Sequence, residues 1–354
     1  MKIAILGDVH FSLRNGHPIL NQAIKKFFDD VFFPIIKREE VKVVFQTGDV
    51  YDGRKSNNTD SIKMSKECFF DKLQQEGIEY HQIIGNHDAY FKETLIVNSP
   101  RVYLTEYDNV HIYDTPETIK LGNTTFDMIP WICDDNRTAI TNHMTLSTAD
   151  IAFGHFEING FEMSKNNVCE HGISMESFKR YKHVWSGHFH KKMKVGNIQY
   201  VGSPTQHTWD DVDEVRGFHI YDTATDTLTF YENPNNLFVK IVYDDNTEVK
   251  NSPEVEGRYV KIIGDNVTDR KRFEKYVDEI YLFSPIEIKS LDKVDEIAGI
   301  EVDLDDLESG TFNMVNFLYE YSTTSHIDMT DDEKSILKEQ YKIIYENAIS
   351  NEDD

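Results

Sequence analysis

Ile83-Ile84-Gly85-Asn86-His87-Asp88 decides how this chain folds. His81-Gln82-Ile83-Ile84 reads as a short buried strand stopped by a glycine. Three neighbouring side chains then offer an amide oxygen, an imidazole and a carboxylate. Alone, such a tetrapeptide reads more readily as a polar turn. The rest of the chain changes that, because the same grammar recurs. Ile3–Leu6 runs into Gly7-Asp8, Val41–Phe45 leads to Gly48-Asp49, Ile151–Phe153 ends at Gly154-His155, and Val184-Trp185 leads to Gly187-His188.

Runs this short, β-branched and glycine-bounded read as buried strands rather than helices. Between the first two lies Pro18–Glu40, helical in period, with a break expected near Pro34. Asp60–Gln75 is a second amphipathic helix, ending at Gly77. The result is an α/β alternation with reactive side chains at the carboxyl ends of strands, where open α/β sheets bind ligands. From about residue 236 the texture changes. Leu237–Tyr243, Arg258–Ile263 and Ile286–Ser290 read as strands and Asp269–Tyr281 as a charged helix, a small α/β unit without a His or Asp constellation. The expected organisation is a domain over 1–235, a small domain over 236–291, an acidic linker over 292–310 and a helical segment over 311–354. In the last, Thr330-Asp331-Asp332-Glu333 is a capping-box pattern. Ile336, Leu337, Tyr341, Ile344, Tyr345 and Ile349 follow on one helical face. That face either docks on its own domain or binds a partner.

Five fragments carry the chemistry: Asp8-Val9-His10, Gly48-Asp49, Gly85-Asn86-His87-Asp88, Gly154-His155 and Gly187-His188-Phe189-His190. Alternate spacing in Asp8/His10 and in His188/His190 puts each pair on one side of an extended backbone. Oxygen and imidazole donors without thiolate suit manganese, iron or a similar octahedral ion better than structural zinc. There are donors for two ions: Asp8, His10 and His190 for one, Asn86, His155 and His188 for the other. Asp49 bridges them at the roughly 3.5–4 Å separation of two-metal hydrolytic sites. A neutral Asn86 keeps the pair electrophilic toward a phosphodiester. His87 is left to face the phosphate and protonate, or hydrogen-bond, the leaving oxygen. Asp88 is expected to orient the His87 imidazole. His17, His81, His111, His143, His171, His183, His207, His219 and His326 have no motif partner and read as structural or surface residues.

Composition bounds the rest. The chain has 354 residues, 39% hydrophobic and 28% charged, with 37 Lys+Arg against 62 Asp+Glu and a formal net charge of −25. Such an excess repels phosphate polymers at long range. It argues against a free-standing nucleic-acid binder, though not against a nuclease delivered to its substrate by a partner. Cys68, Cys133 and Cys169 form no CxxC pair, which suits a reducing compartment. No run of about 18 apolar residues suggests a membrane span. Met1-Lys2-Ile3-Ala4-Ile5-Leu6 is too short for a signal peptide and reads as the first strand, so a cytoplasmic protein is expected.

In their order, the five fragments resemble the calcineurin-like metallophosphoesterase superfamily over residues 1 to about 235. That resemblance implies a four-layer αββα sandwich with a dimetal site at the strand ends. Asp127-Met128-Ile129-Pro130-Trp131, Gly154-His155-Phe156-Glu157-Ile158-Asn159-Gly160, Tyr200-Val201-Gly202-Ser203-Pro204 and Arg216-Gly217-Phe218 narrow it. They are similar to the SbcD-like nuclease subunits of DNA double-strand-break repair complexes, closest to the recombination endonuclease subunits of large tailed bacteriophages. The resemblance implies a Mn²⁺-dependent 3′–5′ double-strand exonuclease and single-strand endonuclease, with Mg²⁺ or Fe²⁺ as alternative ions. It also implies a homodimer through helices at about 60–76 and 90–105, a capping domain over 236–291, and an SbcC-type coiled-coil ATPase bound through 311–349. If the chain is phage-encoded, its compartment is the host cytoplasm. Asp8, His10, Asp49, Asn86, His155, His188 and His190 match the family's metal ligands, and His87 its catalytic histidine. Where some members carry a second histidine, three places after the bridging aspartate, this chain has Asp52. Arg14, Arg54, Lys55, Lys191, Lys192 and Lys194 are candidate phosphate contacts. A metallophosphatase, a cyclic-nucleotide phosphodiesterase and a non-catalytic scaffold for the ATPase are the competing readings.

Overall fold

A computed structural model describes residues 1–292 apart from 165, 166 and 266, so the expected linker and the helices of 311–354 lie outside the described residues. In chain order the strands are β1 (Lys2–Leu6), β2 (Val43–Gln46), β3 (Glu79–Ile83), β4 (Val110–Tyr113), β5 (Glu117–Leu121), β6 (Thr124–Ile129) and β7 (Ile151–His155). There follow β8 (Glu162–Ser164), β9 (Asn167–Val168), β10 (His183–Gly187), β11 (Met193–Val195), β12 (Ile198–Tyr200), β13 (Gly217–Asp222) and β14 (Thr227–Glu232). The last three are β15 (Phe238–Tyr243), β16 (Tyr259–Gly264) and β17 (Glu287–Asp292).

Two six-stranded sheets carry the first compact unit, Met1–Phe238. One runs β14-β13-β1-β2-β3-β4, the other β11-β12-β10-β7-β6-β5. β1, β2, β3 and β4 are parallel, as are β6, β7 and β10, whereas β13 returns antiparallel beside β1 with Lys2 opposite Asp222. Alternation sorts each strand between two cores. Ile3, Ile5, Val43 and Phe45 meet Phe126, Met128, Ile151, Phe153 and Trp185 between the sheets. Ala4, Leu6, Val44 and Tyr80 turn to the helices outside the first sheet, and Ala152, Val184 and Tyr200 to those outside the second. The four αββα layers are therefore those expected from the resemblance.

The two helices on the first sheet depart from the sequence reading in the same way. Pro18–Phe27 passes into Phe33–Arg38 through a π-helical turn at Phe28–Phe32, and Thr59–Ser65 passes into Asp71–Gln75 through another at Lys66–Phe70. The expected break at Pro34 is thus a widened turn just before it, which absorbs the missing N–H without ending the helix. Both turns deliver aromatic rings to one place, with the centroids of Phe28 and Phe69 4.5 Å apart. Of the stretch 90–105, expected as a helix, only Ser99–Tyr103 is helical, capped by the Asn98 side chain on the Arg101 N–H at 3.0 Å. Pro100 sits in its first turn, where no N–H is required.

The second unit begins at Val239 and is described as far as Asp292. Its sheet runs β15-β16-β17, with β16 and β17 parallel and the helix Arg270–Tyr281 connecting them. Phe273, Tyr276 and Ile280 bury one face of that helix with Tyr243, Val260 and Ile262. Among the described residues no helix is long and apolar enough to cross a membrane.

Candidate metal centre

Five strand ends build the site. β1, β2 and β3 of one sheet, and β7 and β10 of the other, point their carboxyl ends the same way. Asp8 and His10 leave β1, Asp49 follows β2, Asn86 and His87 follow β3, His155 ends β7, and His188 and His190 follow β10. The glycines allow these ends to close on one another. A Cβ on Gly85 would lie 2.1 Å from Asp49 Oδ1, and one on Gly187 would lie 2.5 Å from Thr47 Oγ1.

Asp49 is the centre. Its Oδ2 lies 3.7 Å from His10 Nε2 and 3.3 Å from His155 Nε2, so one oxygen faces two groups of donors. Its Oδ1 accepts the His87 N–H at 2.8 Å. On one side stand Asp8, His10 and His190, with His190 Nε2 3.2 Å from His10 Nε2. On the other, Asn86 Oδ1 lies 2.8 Å from His155 Nε2 and 3.0 Å from His188 Nδ1. Every ligand assigned from the sequence is brought here, in the two groups expected.

Hydrogen bonds set the ring tautomers. His155 Nδ1 donates to Thr47 O at 2.7 Å, which leaves Nε2 to face Asn86 and Asp49. His10 Nδ1 meets Asp52 Oδ1 at 2.9 Å, which turns its Nε2 inward. Such outer hydrogen bonds orient imidazole ligands and raise their basicity. Asp52 therefore has a defined place: its carboxylate holds His10 and accepts the Arg14 N–H at 3.2 Å, and its carbonyl accepts from His87 Nδ1 at 2.8 Å. His87 is left with Nε2 for a substrate.

The electrostatics ask for positive charge. Burial alone would lower His10 and His155, but Asp52 and Asp49 beside the first, and Asp49 and Asp8 beside the second, raise both to about 9. Burial would raise Asp49, yet His155, His87 and His10 hold it well below the usual carboxylate range. Asp8 Oδ1 accepts the His188 N–H at 2.9 Å, while its Oδ2 is buried without a hydrogen-bond partner. An orphaned carboxylate oxygen among inward imidazole nitrogens and a shared aspartate fits a pair of divalent cations. Asp8, His10 and Asp49 offer their ligand atoms within 4.8 Å of one another.

His10, Asp49 and His188 hold positive φ, at 51°, 52° and 89°. For residues with a Cβ this left-handed backbone costs on the order of 1 kcal/mol or more each. Backbone hydrogen bonds enforce it: His10 N–H donates to Asp49 O at 3.1 Å, and Asp49 N–H to Asp88 Oδ2 at 2.9 Å.

Two expectations are corrected. Asp88 does not touch the His87 ring. It is fully buried and accepts four backbone N–H groups, those of Asp49 and Gly85 on Oδ2 and of Val50 and Tyr51 on Oδ1, at 2.9–3.2 Å. It staples the β2 and β3 loops together, and Asp52 O aims His87 instead. Burial and the Asp49 charge push Asp88 up to about 7, while the Gly85 and Tyr51 donors pull it down. His207, read from the sequence as structural or surface, lies at the site with its ring centroid 5.2 Å from that of His10 and 4.8 Å from that of His190. Sequence reasoning also gave no role to Trp131 or Arg216. The Trp131 ring walls the second group at 5.0 Å from His188, and Arg216 donates to His190 O and, at 2.7 Å, to Ser203 Oγ. Of the candidate phosphate contacts, Lys191 is tied to Glu162 and Glu214 at 3.1 and 3.0 Å, and Lys192 lies 3.5 Å from the centroid of the Phe230 ring.

Comparison with known proteins agrees with this architecture. Residues 1–192 match the family described as Calcineurin-like phosphoesterase. Over 353 residues the chain is 29% identical to "Exonuclease subunit 1" of Enterobacteria phage T4, covering 98% of this chain and 99% of that protein. It is 22% identical to a nuclease SbcCD subunit of Staphylococcus epidermidis, over 99% of this chain and 95% of that one. It is also 25% identical to "Putative phosphoesterase 244L" of Invertebrate iridescent virus 6, over 60% of this chain and 73% of that one. With the family match covering more than half its length and the αββα layers in place, the chain belongs to the calcineurin-like phosphoesterase family.

Proposed function

We propose that this chain is the Mn²⁺-dependent DNA nuclease subunit of an SbcCD-type complex. It hydrolyses phosphodiesters as a 3′–5′ double-strand exonuclease and single-strand endonuclease in recombination and double-strand-break processing. The observation that carries the reading is the single Asp49 oxygen set between two donor groups, 3.7 Å from His10 Nε2 and 3.3 Å from His155 Nε2. Asp8, His10 and His190 would hold one ion, Asn86, His155 and His188 the other, with Asp49 shared. When bound, two such cations supply positive charge to a phosphodiester and acidify the attacking water. The chain's own residues do the rest. Asp52 fixes the His10 and His87 rings, and His87 presents Nε2 to the leaving oxygen as proton or hydrogen-bond donor. Asp88 locks the loop that carries Asp49 to the loop that carries Asn86.

The nearly full-length similarity to an exonuclease subunit and a nuclease subunit supports DNA as substrate. Exposed Ile96, Val102 and Phe91 support a homodimer through the 90–105 segment. An SbcC-type ATPase would bind through 311–349. With a net charge of −25, the partner would supply much of the DNA grip.

End-labelled duplex and hairpin DNA with Mn²⁺ or Mg²⁺, with and without the ATPase, tests this reading. Mn²⁺-dependent shortening from 3′ ends is expected, and His87→Ala should keep metal while losing turnover by ~10²–10⁴-fold. Hydrolysis of a small aryl phosphate with no DNA cleavage would replace the nuclease by a phosphatase.

A further inference from the structure

His207 is 1% exposed, and neither ring nitrogen has a hydrogen-bond partner. A buried imidazole with both nitrogens unsatisfied costs roughly 1–3 kcal/mol per group, so its placement needs a reason. The ring does not fill an apolar core. It stands edge-on to His10 and His190, and the three residues offer ligand atoms within 4.8 Å of one another.

We propose that His207 is a third imidazole ligand of the ion held by Asp8, His10, His190 and the shared Asp49. The inference rests on the dimetal reading of the site and adds a ligand that the five sequence motifs do not contain. Nitrogen ligands about 2.1 Å from one ion lie about 3.0 Å apart when adjacent and about 4.2 Å apart when opposite. The 3.2 Å between His10 Nε2 and His190 Nε2 suits adjacent ligands. With those two adjacent, His207 lies opposite at most one of them, so the spread of up to 4.8 Å that includes it closes with at most about 1.8 Å of contraction.

The backbone is built to hold the ring there. After β12 the chain turns at Gly202, whose φ is +76°. Asp211 Oδ2 then accepts the His207 N–H at 2.7 Å and the Thr208 N–H at 3.1 Å. Asp211 Oδ1 pairs with Arg216, which also holds the His190 carbonyl. One carboxylate and one guanidinium therefore fix His190 and His207 together.

The chemical consequence is asymmetry. One ion would have three imidazoles and the other two, Asn86 supplying an amide oxygen. More nitrogen favours Fe²⁺, Co²⁺ and Zn²⁺ over Mn²⁺. The site bearing His207 fills first and holds the softer ion.

Co²⁺ reports this without reference to activity. The full-length chain, His207→Phe and His207→Gln would be titrated with Co²⁺ and with Mn²⁺ by calorimetry and visible absorption, and apo and metal-loaded forms compared in thermal unfolding. Phenylalanine keeps the ring volume and removes both orphaned nitrogens, so apo His207→Phe should unfold at or above the wild-type temperature. The tighter of two Co²⁺ sites should weaken by at least ~10-fold, since losing even outer partners of metal ligands costs 10–100-fold. The weaker site should be unchanged, and the Co²⁺ over Mn²⁺ preference should fall. Two wild-type sites with unaltered Co²⁺ affinity and spectrum in both variants would overturn the assignment of His207 while leaving the dimetal reading standing. A wild-type chain that binds neither ion would overturn both.

Discussion

Replacing Gly85 by alanine is the sharpest single test of how the site is assembled. The φ of Gly85 is not in the left-handed region, so the change carries no backbone strain of its own. What it adds is one methyl group, 2.1 Å from Asp49 Oδ1, 2.4 Å from Asp49 N and 2.8 Å from Asp49 Cγ. Ordinary contact begins near 3.4 Å, so the carboxylate or the β3 strand end must move by roughly 1.3 Å. Neither moves freely, because Asp49 Oδ1 accepts the His87 N–H and Asp49 N–H donates to Asp88. The displacement therefore passes to the oxygen shared by the two donor groups and to the His87 loop. A misplacement near 1 Å at a reacting centre costs on the order of 10²-fold in rate. Gly85→Ala should lose about that much Mn²⁺-dependent cleavage, with weaker Mn²⁺ binding by calorimetry. Gly77→Ala is the control: its Cβ meets nothing within 4 Å, but its φ is +61°. It should lose about 1 kcal/mol of stability and no activity. Wild-type metal affinity and rate in Gly85→Ala would refute the argument that the glycine exists to admit the bridging carboxylate.

Three further outcomes are expected. Asp88→Asn keeps one acceptor oxygen and turns an NH₂ toward two backbone donors, so urea unfolding should show a loss of about 3 kcal/mol; a variant with normal stability and only a reduced kcat would return Asp88 to the role of aiming His87. Asp52→Ala frees the His10 ring, and the Mn²⁺ concentration for half-maximal rate should rise 10–100-fold, an unchanged metal requirement contradicting the support assigned to Asp52. The buried His81 ring, stacked on His111 at 4.6 Å, is lowered to about 3 by burial and by His111. With its folded pKa below the unfolded value, it contributes stability that is present above about pH 6.5 and lost as pH falls, by up to about 1.4 kcal/mol per pH unit. His81→Phe should flatten the stability–pH curve between about pH 6.5 and 4.5, and an identical slope in wild type and variant would count against it.

The site was legible where the chemistry is local. A β-branched run, a glycine and a donor side chain are neighbours in the chain, and each such fragment reached the centre. Asp88 was misread because adjacency to His87 suggested a contact, whereas β3 ends by turning the two side chains apart and its carboxylate meets the β2 loop 37–39 residues away. His207 was missed because nothing near it in sequence is a ligand. Its place depends on the Gly202 turn and the Asp211–Arg216 pair, which only the fold brings together. Left-handed backbone at His10, Asp49 and His188 was equally invisible, since no glycine marks it. The π-turns are wider than the 3.6-residue period used to read helices, so Phe28 and Phe69 looked like ordinary helix-face residues.

The position of β1 has a consequence for biosynthesis. It lies between β2 and β13, with Ala4 paired to both Val44 and Ile220. A ribosome therefore releases β1, with Asp8 and His10 behind it, long before the strand that covers its other edge exists. Until Gly217–Asp222 has emerged, that edge stays open and the first sheet stays short, and pairings so distant in sequence close slowly. A chain that stops before β13 should thus have no assembled centre and no cleavage activity. The exposed edge should instead make stalled or truncated products prone to aggregation and to capture by chaperones.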